Sequence, residues 1–173
     1  MRALGTPARV LVMALCLASC GDDGPPLTEV VLSINTDLET PFEVDGIRVM
    51  VSRMGVDEMM AVGTLGPGQP RLPRTVSLVH EGGRLGPFEA RIQLTRGGGV
   101  VIERVVRFTF VERASLRLNV ILAGACIDIF CSDAEESCGP IGDTNVVGCQ
   151  SIDVPLQQLD GSASPLRGLD GGV

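Results

Sequence analysis

From Thr28 to Leu122 the apolar residues recur at every second position, a spacing that fits one face of a strand and no face of a helix. The clearest instance is Phe88, Ala90, Ile92 and Leu94, which alternate with Glu89, Arg91, Gln93 and Thr95. Gly97-Gly98-Gly99 follows and supplies the positive-φ residues of a tight hairpin, so Val100 to Val111 is expected to run back as the partner strand. Val30, Leu32 and Ile34 carry the same pattern at the start of the region, Ile47, Val49 and Val51 after Asp45-Gly46, and Leu116, Leu118, Val120 and Leu122 at its end. Val76 and Leu78 open another strand. A weaker apolar run, Met59 to Leu65, stops at Gly66-Pro67-Gly68-Gln69-Pro70, which helix and sheet interiors both reject. No long window carries a 3.6-residue repeat.

About seven short strands separated by turn signals predict an all-β fold. The expected architecture is an antiparallel β-sandwich of immunoglobulin-like or transthyretin-like type over residues 28–122. The alternation ends there. Cys126, Cys131, Cys138 and Cys149 then follow with the spacing C-x4-C-x6-C-x10-C, interleaved with Asp133-Ala134-Glu135-Glu136 and Gly139-Pro140. No C-x2-C pair occurs, so the signatures of zinc ribbons and thioredoxin-type redox sites are missing. An even number of cysteines in a segment too poor in apolar residues to hold itself together predicts two disulfides and a small pinned lobe over 123–155. Three pairings satisfy that count. The last residues are rich in Gly, Ser and Asp, and a disordered tail is expected over 156–173.

The first residues carry an address. Arg2 and Arg9 flank an apolar run, Val10 to Leu17, that is far shorter than the about 20 residues a membrane span needs and has the length of a signal core. Leu17-Ala18-Ser19-Cys20 resembles the lipobox of bacterial lipoproteins. That resemblance implies a signal peptide over 1–19 and a lipid on Cys20, with residues 20–27 as a tether to the cell envelope. The other reading is a secreted protein cut after an A-x-A-like site, with Cys20 left as an odd thiol. Two or three acyl chains hold a protein durably where one does not. By the same resemblance, Gly21 in place of an acidic residue implies the outer membrane. Eight flexible residues reach only about 16 Å, so the folded part is expected close to the bilayer.

Lipobox, β-sandwich and C-terminal cysteine motif together resemble a group of uncharacterised small bacterial lipoproteins. The cysteine motif is also similar to the hairpins of EGF-like and follistatin-type modules, in which the first cysteine pairs with the third and the second with the fourth. That likeness implies Cys126 with Cys138 and Cys131 with Cys149.

Charge narrows the partners. All 14 basic residues are arginine, against 21 acids; losing residues 1–19 removes two arginines and no acid, leaving a net charge of about −9. Such a chain is unsuited to nucleic acid or to electrostatic adhesion on anionic lipid. With no Trp or Tyr and five Phe, stacking platforms for sugars are scarce. His80 is the only histidine and lies beside Glu81 and Gly82-Gly83 at an expected strand end. No G-x-S-x-G elbow occurs, and neither Gly66-Pro67-Gly68 nor Gly97-Gly98-Gly99 leads into a phosphate-binding helix. Asp128, Asp133, Glu135, Glu136 and Asp143 put carboxylates on a constrained loop, but their spacing matches no known calcium loop. No catalytic residue, metal ligand or cofactor is assigned. The expectation is a lipid-anchored envelope protein with a non-enzymatic binding or structural role and an envelope protein as partner. The alternatives are an envelope hydrolase using His80 and nearby acids, or a calcium-dependent adhesion module.

Overall fold

A computed structural model describes residues 27–142 and 146–159. The lipobox, Cys20, Asp143 and the tail beyond Leu159 lie outside the described residues, as does all of the tether but Leu27. Within them the chain is all-β. Seven strands occupy the alternating region: β1 (Glu29–Thr36), β2 (Gly46–Arg53), β3 (Val56–Thr64), β4 (Arg74–Val79), β5 (Phe88–Arg96), β6 (Gly99–Phe108) and β7 (Ser115–Leu122). A 3₁₀ turn at Gly124–Cys126 leads to β8 (Glu136–Pro140), β9 (Val147–Ser151) and the short β10 (Gln157–Gln158).

Two four-stranded sheets, ordered β10-β7-β1-β4 and β3-β2-β5-β6, enclose one core, while β8 and β9 form a separate hairpin. The alternating residues supply that core. Val30, Leu32 and Ile34 with Leu116, Leu118, Val120 and Leu122 meet Ile47, Val49, Val51, Phe88, Ala90, Ile92 and Leu94 from the other sheet. The β5–β6 hairpin turns at Gly97 and Gly98, with φ of 56° and 86°, as the glycine run predicts. The weak run from Met59 becomes part of β3, joined to β2 by Met54 and Gly55, both at positive φ.

Three features refine the expectation. First, β1 pairs with β7 in parallel, Val30 opposite Leu116 and Ile34 opposite Val120, so the sandwich is not wholly antiparallel. The pairing joins the first and last strands of the region, an arrangement set by burial of both apolar faces rather than by any local turn. Second, the chain from 156 does not start as a disordered tail. Gln157 and Gln158 pair with Arg117 and Leu116, and Asn119 Nδ2 donates to Gln157 Oε1. Third, the lobe of 123–155 is joined to β6 through backbone bonds. Arg107 N donates to Ile152 O, and Val154 N to Arg107 O, so residues 152–154 extend the sheet beside β6.

The strands define two poles. The chain enters at Leu27, where Glu29 N donates to Ala114 O, His80 N to Thr28 O and Arg113 N to Thr28 Oγ1. At the other end Thr36 Oγ1 donates to Leu122 O and Gly124 N to Asp37 Oδ1, and the cystine lobe begins.

Candidate functional site

Two disulfides close the lobe on itself, and two arginines of β6 fasten it to the sandwich. Disulfides join Cys126 to Cys138 and Cys131 to Cys149, tying the 3₁₀ turn and the loop after it onto the two strands of the hairpin. Arg107, pointing outward from β6, forms ion pairs with Glu89 on β5 and with Glu135 and Asp153 of the lobe, the last at 3.7 Å. Hydrogen bonds donated to Glu135 and Glu89 hold the Arg107 guanidinium protonated well above its ordinary range, and the same bond to Glu135 holds that carboxyl below the usual glutamate value.

The second fastening is Arg104. It lies on the inward face of β6, in line with Ile102, Val106 and Phe108, and is only 8% exposed. Its Nη1 donates to Ile121 O on β7 at 2.8 Å. Its guanidinium also presses against β8, so a Cβ added to Gly139 would overlap it. Burial lowers its pKa, since a charge removed from water is disfavoured. Arg104 thus joins β6, β7 and β8 at the seam where the two sheets and the lobe meet.

Around this fastening the lobe turns apolar side chains outward. Phe130 is 91% exposed, and Ile127, Ile129, Ile141 and Val146 are exposed beside it in sequence or across the hairpin. A groove of about 390 Å³ runs between the lobe and the first half of β6, walled by Val100, Val101 and Val105 on one side and by Ile129, Phe130 and the Cys126–Cys138 disulfide on the other. Among the described residues, five large apolar side chains of this small lobe are thus exposed.

The other sequence candidates are dispersed. His80 packs on Phe110 with ring centroids 5.1 Å apart and edge-on to Phe88 at 6.3 Å, and its Nε2 is buried with no hydrogen-bond partner. Among the described residues no carboxylate forms an ion pair with it. Those rings, with Arg53 5.6 Å over Phe88, line a cavity of about 380 Å³ at the pole where the chain enters. Of the acidic set, Glu135 is taken by Arg107. Among the described residues no three His, Cys, Asp or Glu side chains converge as metal ligands.

Sequence patterning assigns no role to Arg104, Arg107 or Phe130. Arg104 was recoverable, because it occupies an inward position of β6 between Ile102 and Val106. Ile127-Asp128-Ile129-Phe130 also announces an apolar loop inside the cysteine spacing. No family model, curated protein or solved structure matches this chain.

Proposed function

We propose that this chain is a lipid-anchored cell-envelope protein with a non-enzymatic binding role, which presents its cystine lobe to another envelope component. One observation carries the reading: the chain enters the sandwich at one pole, and the exposed Phe130, Ile127 and Ile129 belong to a lobe that begins at the other. A protein held through Cys20 by a tether of about 16 Å would turn the His80 pole toward the bilayer and leave the lobe free to meet a partner. The two disulfides support an oxidising compartment. The lipobox resemblance supports the anchor and the outer membrane.

The test is capture from envelope extracts by the full chain, wild type against Phe130→Asp. Phe130 contributes almost nothing to the core, so the variant folds with an unchanged melting temperature. The wild type is expected to enrich a defined envelope partner and Phe130→Asp to lose it. Equal recovery by both, or none by the wild type, would count against the lobe as the binding surface.

A further inference from the structure

The groove beside β6 has a backbone wall as well as a side-chain wall. Arg107 N and O bond residues 152–154 on the edge of β6 away from β5, and Val105 N donates to Ser137 Oγ on that same edge. Backbone groups alternate between the two edges of a strand, so Glu103 turns its N–H and C=O, and Val105 its C=O, to this edge. None of the three has a partner among the described residues. The edge is therefore covered where the lobe crosses it and open where the groove begins. Just beyond lies a β-bulge, where the pairing with β5 shifts between Leu94 and Thr95.

The charge around this slot has one sign. Glu103, Asp128 and Glu136 line it and no basic side chain does. Glu103 is already paired with Arg91, whereas Asp128 and Glu136 have no cationic partner among the described residues. An open strand edge, apolar walls and unneutralised carboxylates define a complementary occupant.

We propose that the groove between β6 and the cystine lobe binds an extended basic and apolar peptide segment of a partner protein, which adds as a strand to the β6 edge at Glu103. The backbone of the segment continues the ladder that residues 152–154 begin. Its apolar side chains lie against Val101, Ile129 and Phe130, and its lysines or arginines face Asp128 and Glu136. This rests on the binding role proposed above and names the chemistry of the partner.

The test uses the full chain in detergent and a blocked six-residue peptide of alternating lysine and valine. Binding is expected with hydrogen-exchange protection of the Glu103 amide. The same peptide N-methylated at alternate residues should bind roughly tenfold or more weakly, because it cannot complete the ladder. Asp128→Asn with Glu136→Gln should weaken the lysine peptide about threefold or more and remove its preference over a glutamate–valine peptide. Asn tolerates the positive φ of 63° at position 128, so the variant keeps the loop. Equal affinity for the N-methylated peptide, an unprotected Glu103 amide, or self-association of the chain through this edge would each overturn the proposal. Loss of peptide binding alongside Phe130-dependent partner capture would sink strand addition while leaving the binding role standing.

Discussion

Arg107 and Arg104 are two arginines of one strand, three positions apart, with opposite surroundings. Arg107 gathers three carboxylates at the surface. Arg104 is buried, with one hydrogen bond to a backbone carbonyl and no carboxylate paired with it among the described residues. Period-two alternation separates outward Arg107 from inward Arg104, yet arginine at an inward position runs against the polarity rule that made the strand legible. What makes room for it is Gly139, which is remote in sequence and invisible to any local pattern. The Glu135 carboxyl is held below its ordinary value by Arg107, so the contribution of this pair is fully present above the unfolded pKa of about 4.3 and is lost as pH falls through the lower folded value. The melting-temperature advantage of wild type over Glu135→Gln should therefore be present at pH 7 and vanish in acid. An advantage unchanged at about pH 2 would detach Glu135 from Arg107.

At the scale of elements, β5 and its hairpin with β6 were written plainly, because strict alternation and a glycine run are local signals. The parallel β1–β7 pair was not, since strand order depends on which faces bury together across 86 residues of sequence, as the Thr36–Leu122 hydrogen bond measures. β10 was hidden for a different reason: two glutamines carry no apolar pattern and pair only because β7 presents an open edge. Clustered cysteines announce the lobe, while its strand-like attachment at 152–154 rests on backbone bonds to Arg107, which no local pattern carries. Its order depends on the disulfides more than on burial. Closing the loop between Cys126 and Cys138, 12 positions apart, contributes about 3 kcal/mol in the chain-entropy picture. Replacing both by serine should lower unfolding free energy by about that much in denaturant melts. Amide exchange should rise across 124–140 while β1, β2 and β5 stay protected. Loss of protection across the whole sandwich would show that the lobe is part of the folding core.

The whole molecule has a direction. Chain entry, His80 and the cavity beneath Arg53 share one pole, and the cystine lobe starts from the other. That direction acquires meaning only if the chain is anchored where it enters, which makes the state of Cys20 the hinge of the proposed function. The most direct test is the mass of the N-terminal peptide of the mature protein extracted from bacterial membranes. We predict a chain that starts at Cys20 and bears diacylglyceryl on its thiol, and that is released to the soluble fraction by Cys20→Ser. A mature N-terminus at another residue, or a Cys20 thiol free of lipid, would contradict the account.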